Sequence, residues 1–200
     1  SPEGEIIEIL GHVNDPGTDI LSVVRAYDIP VEYPDKVMDS LKDIPDEVDE
    51  ADFVGRPDFR ALPTVTIDGE DAKDLDDAIT LSFEDGVYTL GVHIADVSHY
   101  VKEKSPLDKE ALKRGTSCYL VDSVIPMLPH KLSNGICSLN AGTDRLTLSC
   151  VMKFDKKGKL LDHTICEGIL HVDERMTYTN VEKILERSDE EVLKRYEPLV

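Results

Sequence analysis

No stretch of the sequence holds 18 consecutive apolar residues, so no transmembrane helix is expected. The opening residues, Ser-Pro-Glu-Gly-Glu, lack the basic and apolar parts of a secretory signal. Cys118, Cys137, Cys150 and Cys166 include no Cys-x-x-Cys pair, which argues against a zinc ribbon and against thioredoxin-like chemistry. With no export signal, they read as buried, reduced thiols of a cytoplasmic protein. There is no internal repeat and no low-complexity tract. Basic residues are scarce: 22 Lys and Arg stand against 41 Asp and Glu, a net charge of −19 at pH 7. Taken alone, that balance argues against nucleic acid, whose phosphates attract cations. The distribution tempers the argument. Residues 1–80 carry 22 acids and 6 bases, whereas residues 81–200 carry 19 acids and 16 bases.

What is present is enough for a real core. The chain has 200 residues, 40% of them apolar, which suits one domain, or one domain with pieces of its neighbours. Glu5–Leu10 reads as a strand, and Asn14-Asp15-Pro16-Gly17 as a turn. Asp19 is placed to cap a short helix carrying Ile20, Val23 and Val24 on one face. Residues 34–54 contain a short helix, a break at Pro45 and the acidic run 46–52, and read as a linker whose charges are solvated. From Pro63 the pattern turns to strands. Thr64–Ile67 is β-branched; Ile79, Leu81 and Phe83 alternate up to a turn at Asp85-Gly86, and Tyr88, Leu90, Val92 and Ile94 alternate after it. Ser105, Pro106, Asp108 and Gly115 mark the start and stop of a helix. Leu146–Phe154 and Lys159–Val172 form a second hairpin. Thr179-x-x-Glu182 and Ser188-x-x-Glu191 read as capping boxes of two short helices. The last residues, 196–200, do not read as the end of a finished domain.

The most informative segment runs from Thr66 to Ile79. Asp68, Asp74, Asp76 and Asp77 sit where one strand ends and the next begins. Short carboxylates on a turn can converge, and their oxygens suit hard cations such as Mg²⁺ and Mn²⁺. Without a cation, mutual repulsion raises some of their pKa values. A solvated acidic loop remains open as a reading. An EF-hand does not: counted from Asp74, the fifth and sixth positions are Ala78 and Ile79 instead of Asp or Asn and then Gly.

These residues resemble the catalytic signature of the ribonuclease II/ribonuclease R family, whose catalytic module is the RNB domain. Further blocks resemble it in the same order: Gly55–Arg60, Val92–Ser98, Arg114–Tyr119, Ile125–Pro129, Leu132–Leu139 and Asp144–Leu146. Residues 5–30 resemble the end of the cold-shock-like domain that precedes the catalytic domain in the bacterial ribonuclease R branch. The resemblance implies an α+β fold: a mostly antiparallel, barrel-like sheet with outer helices. It implies a remnant of an OB-like domain over 1–33, an acidic linker over 34–54 and the N-terminal part of a catalytic domain over 55–200. It also implies a processive, Mg²⁺-dependent 3′→5′ exoribonuclease that takes the 3′ end of single-stranded RNA, releases nucleoside 5′-monophosphates and works as a cytoplasmic monomer at full length. By position, Asp68 and Asp77 would hold Mg²⁺ directly, Asp74 would help through water, and Asp76 would matter most for the chemistry. Tyr119 would stack on the terminal base, through its ring and not its hydroxyl. A non-catalytic module that binds divalent cation or RNA is the alternative.

Other residues read more plainly. His93, Asp96 and His99 have the look of a metal triad, but on a strand Asp96 would point away from the two histidines. Arg145 reads as structural, paired with a buried carboxylate. Apart from the resemblance, Tyr119 reads as a core aromatic. Cys118 reads as packing, and Lys156, Lys157 and Lys159 as a solvated turn.

Overall fold

A computed structural model describes residues 3–121 and 123–197. The expectations for residues 1–2 and 198–200 lie outside the described residues. Among the described residues eight strands and six α-helices follow one another: α1 (Thr18–Ala26), α2 (Asp35–Ser40), β1 (Thr64–Asp68), β2 (Asp77–Glu84), β3 (Val87–Ala95), α3 (Val97–Tyr100), α4 (Pro106–Arg114), β4 (Cys118–Tyr119), β5 (Val124–Ile125), β6 (Asp144–Asp155), β7 (Leu160–His171), β8 (Glu174–Thr177), α5 (Tyr178–Glu186) and α6 (Glu190–Arg195). Six of the strands form one sheet in the order β7-β6-β3-β2-β1-β8, and β4 pairs with β5 as a small separate ribbon. All pairings in the large sheet are antiparallel except β1 with β8. Among the described residues no helix is long and apolar enough to cross a membrane.

The sheet is open, which corrects the barrel-like expectation: β7 and β8 are its edges and are not paired with each other. It is nevertheless curled. The chain leaves β7 at His171 and enters β8 at Glu174, so only Val172 and Asp173 carry it from one edge to the other. Three Cα–Cα steps span at most about 11 Å, which brings the two edges close at that end. Asp173 fastens the crossing: its N–H donates to Thr64 O at 3.0 Å, and its carboxylate accepts from Thr64 N at 2.8 Å.

The inside of the curl is polar. Thr64, Thr66, His93 and Thr147 are fully buried, with Thr80 and Ser149 nearly so. His93 bonds Thr80 through Nε2 at 3.0 Å and Ser149 through Nδ1 at 2.8 Å. Gly168 lies against the Phe59 ring, where an added Cβ would come within 2.6 Å of ring carbon, so a side chain there has no room. The Asp58–Ile169 bridge lays the chain beside the outer edge of β7, with Phe59 N donating to Ile169 O at 2.8 Å. The alternating apolar residues of the two hairpins face the other way: Leu81, Phe83, Ile94, Leu148 and Ile165 are all exposed.

The apolar core gathers at one end of the sheet. Ala78, Ala95, Leu170 and Val172 come from that end, and Leu107, Leu128, Leu132, Ile136 and Leu139 pack against them from helix and loop. Residues 34–54, expected as a linker, contribute Val37, Leu41 and Ile44 to the same cluster.

Local signals held where they were self-contained. Ser105 caps α4 by accepting from Asp108 N, and Gly115 ends it at φ 75°. Four signals shifted or failed. Gly17, not Asp19, precedes α1, which starts at Thr18. Thr177 and Asp189, not Thr179 and Ser188, cap α5 and α6. Glu5–Leu10 forms no strand, and Ile6, Ile7 and Ile9 are exposed, because an apolar segment without a partner strand gains no ladder. Only Cys137 is buried; burial pushes its thiol up to about 12, while Cys118, Cys150 and Cys166 are partly exposed.

Candidate active site

The acidic segment owes its position to a parting of strands. β1 and β2 pair at Thr64 with Thr80 and at Val65 with Ile79. Beyond that, β1 continues along β8, where Asp68 is level with Thr177, and β2 continues along β3, where Asp77 is level with Ile94. The loop 69–76 bridges the resulting mouth, directly above the apolar core. Leu75 is 1% exposed and anchors the loop in that core. In extended chain its neighbours Asp74 and Asp76 then project together to the opposite side.

Backbone bonds hold this conformation. Ser138 Oγ accepts from Leu75 N and donates to Lys73 O, both at 3.1 Å. Leu139 N donates to Leu75 O at 2.8 Å, and Ala95 N to Asp76 O at 3.0 Å. On the other flank, Arg175 Nη2 on β8 donates to Gly69 O at 3.1 Å and to Glu70 O and Ala72 O at 2.8 Å each. Neither Ser138 nor Arg175 was singled out from the sequence. Each lies more than 60 residues from the loop it holds, and no spacing signal spans that distance.

The electrostatics are those of crowded carboxylates. Burial pushes Asp68 up from its ordinary value; Asp77, Asp76 and Asp74 add to the shift, and Arg175 opposes it. Asp76 is also pushed up, by desolvation first and then by Asp74 and Asp77. One oxygen of Asp68, Oδ2, is buried without a hydrogen-bond partner. Tyr119 is not a core aromatic. It is 68% exposed on β4, and its hydroxyl donates to Asp74 Oδ2 at 3.0 Å. The hydroxyl is therefore engaged with the acidic group, while the ring stays open to solvent.

The donor set fits a hard cation: carboxylate groups, two of them with pKa values raised by burial first and by their neighbours second, and one with a buried, unpartnered oxygen. The side chains are nonetheless splayed. Among the described residues no three His, Cys, Asp or Glu side chains are gathered closely enough to hold a metal ion.

The other candidates disperse. His93 lies inside the curl, Asp96 accepts from Arg56 Nη2 at 2.7 Å, and His99 stands 3.3 Å from Asp52. The divergence arises because the chain turns into α3 after Ala95, not because a strand alternates. Arg145 is structural, but without a carboxylate: it donates to the main-chain oxygens of Ser138, Asp144 and Gly135. Asp144 instead pairs with Arg60 and His171.

The RNB-domain model matches residues 56–197, the stretch that holds this curled sheet and its acidic loop. The chain belongs to this family, that of ribonuclease II and ribonuclease R. A cold-shock-domain model matches residues 1–34. Ribonuclease R 1 of Lactococcus lactis is 51% identical over 97% of the chain. The solved RNase R of Mycoplasma genitalium in complex with double-stranded RNA is 33% identical, covers 90% of the chain and superposes with a TM-score of 0.84. The chain spans 24% of that Lactococcus relative and 32% of that Mycoplasma chain. Yeast Ssd1, a pseudonuclease, shares the fold at a TM-score of 0.74 and 20% identity, covering 88% of this chain and 23% of its own.

Proposed function

We propose that the chain is the N-terminal part of the catalytic domain of a processive 3′→5′ exoribonuclease that hydrolyses RNA to nucleoside 5′-monophosphates. The substrate is the 3′ end of single-stranded RNA, the cofactor Mg²⁺ or Mn²⁺, and the full-length protein a cytoplasmic monomer. The observation that carries the reading is the exposed Tyr119, whose hydroxyl donates to Asp74, one member of a four-aspartate mouth. Asp68, Asp74, Asp76 and Asp77 are the residues that would hold the cation. A bound divalent ion supplies charge neutralisation at the phosphate and acidification of water. The protein's part is placement. Leu75 and Ser138 fix where Asp74 and Asp76 point, and Tyr119 offers a π-face to any terminal base, worth about 1–3 kcal/mol and indifferent to sequence.

A second reading, a cation- or RNA-binding module without catalysis, draws on the splayed aspartates and on the pseudonuclease that shares the fold. Asp76→Asn in the full-length protein separates the two. On the first reading, RNA affinity stays within a few-fold while turnover is lost. Normal hydrolysis by that variant refutes the assignment of Asp76, and absence of hydrolysis in the unaltered full-length protein favours the second reading. The 200-residue chain alone is expected to degrade 3′-labelled RNA poorly, since its net charge of −19 repels the substrate.

A further inference from the structure

Three buried side-chain atoms without a hydrogen-bond partner lie on one short stretch of the β1–β8 pair: Thr66 Oγ1, Asp68 Oδ2 and Arg175 Nε. Thr66 is level with Arg175 across the parallel ladder, and Asp68 follows two residues later, on the same face. Native interiors leave few buried polar atoms unpaired, so three together need a cause. The set is complementary: a guanidinium N–H that can only donate, on the strand that flanks a carboxylate oxygen that can only accept. The same guanidinium already spends Nη2 on Gly69 O, Glu70 O and Ala72 O, which fixes its plane against the turn that follows Asp68.

We propose that Arg175 is a positioning residue for the aspartate mouth: Nη2 closes the Gly69–Ala72 turn, and Nε is the donor that Asp68 Oδ2 takes when the four carboxylates draw together around a cation. This rests on the cation reading of the site and adds a residue to it. The geometry gives the mouth a fixed wall. Asp68 is steered from one side while its other oxygen stays free to face Asp74, Asp76 and Asp77. Lysine cannot replace this, because an ammonium is a point charge without the planar fork.

The test uses the sign of the effect. On Coulomb grounds alone, removing a positive charge next to crowded carboxylates tightens cation binding. Loss of a positioning residue weakens it, by about 10- to 100-fold for groups that orient metal ligands. Mn²⁺ binding to the chain is followed by the electron paramagnetic resonance of free Mn²⁺. Amide exchange at residues 69–73 is measured without metal, and melting is recorded alongside. Arg175→Met and Arg175→Lys are compared with Arg195→Met, which removes a surface arginine paired to Glu174 on the same strand. The expected result is at least 10-fold weaker Mn²⁺ binding and faster exchange at 69–73 in both Arg175 variants, with Arg195→Met unchanged. Tighter or unchanged binding in Arg175→Met, or full retention in Arg175→Lys, overturns the proposal. A wild-type chain that takes up no Mn²⁺ overturns the cation reading beneath it, a separate failure visible before any variant is measured. Should Arg175→Met fail to melt cooperatively, the lysine variant decides.

Discussion

Replacing Asp68 by asparagine should stabilise the metal-free chain and destabilise it relative to wild type once a divalent cation is added. Asp68 pays for its place: burial and three neighbouring aspartates raise its pKa, and Oδ2 has no partner. A carboxyl whose pKa is raised on folding contributes most to stability below its unfolded value, near 4, and loses that contribution as pH climbs through the folded value. At pH 7 the ionised group is therefore a burden. Asparagine has nearly the same shape and no charge. Leaving a buried polar atom unsatisfied costs about 1–3 kcal/mol, more for a charged one. Relief of about 1 kcal/mol corresponds to about 2–4 °C in a protein of this size. The assay is thermal melting with EDTA and with millimolar Mn²⁺, at pH 7 and at pH 3.5. In EDTA at pH 7 the variant should melt about 2–4 °C above wild type, and at pH 3.5 the difference should vanish. With Mn²⁺ the order should invert, because ligand binding to the native state stabilises by RT ln(1 + [L]/Kd) and the variant lacks one ligand. A variant less stable than wild type in EDTA at pH 7 refutes the account, since it would mean that the Arg175 charge outweighs desolvation and the aspartates together.

Leu75→Ala should cost about 2–5 kcal/mol in urea unfolding, because a side chain 1% exposed leaves a cavity, whereas Leu75→Met should cost less than about 1.5 kcal/mol. Burial lowers His93 to about 4, so the native state prefers the neutral ring. That preference protects the fold above about pH 6.5 and is lost as pH falls from there toward 4. His93→Gln should flatten the stability–pH slope in this window, and an unchanged slope in chemical denaturation would exclude the histidine as its source. In the full-length protein, Tyr119→Ala should change the length of the final undegraded RNA. Tyr119→Phe should alter turnover more than affinity, because it removes the bond to Asp74 but keeps the ring; identical turnover would return the role to the ring alone.

The parts of the fold legible in the sequence are those written within a few residues. The Asp85-Gly86 hairpin and the Ser105–Gly115 helix lie where their signals put them, because caps and tight turns satisfy their own hydrogen bonds. Misplaced features depend on distant chain. Alternation in β2 and β3 is real, but the buried face carries Thr80 and His93 while Leu81 and Phe83 are exposed, since a tightly curled sheet fills its inside with a hydrogen-bonded polar set. The capping boxes slipped because Thr177 ends β8 and must also start α5, a constraint set by pairing with Asp68. The four aspartates were legible as a group. Their bracing by Ser138 and Arg175 was not, because it arises from contacts 63 to 106 residues apart.

The two-residue passage from β7 to β8 also sets a schedule. Asp68 is made early, yet the strand that runs beside it and carries Arg175 follows 107 positions later. At a ribosomal pace of about 5–20 residues per second, the acidic loop waits about 5–20 s for that strand. Until then its carboxylates have no wall to be set against. A nascent chain of this protein therefore carries its four aspartates through a long stretch of its synthesis before the strand that flanks them exists.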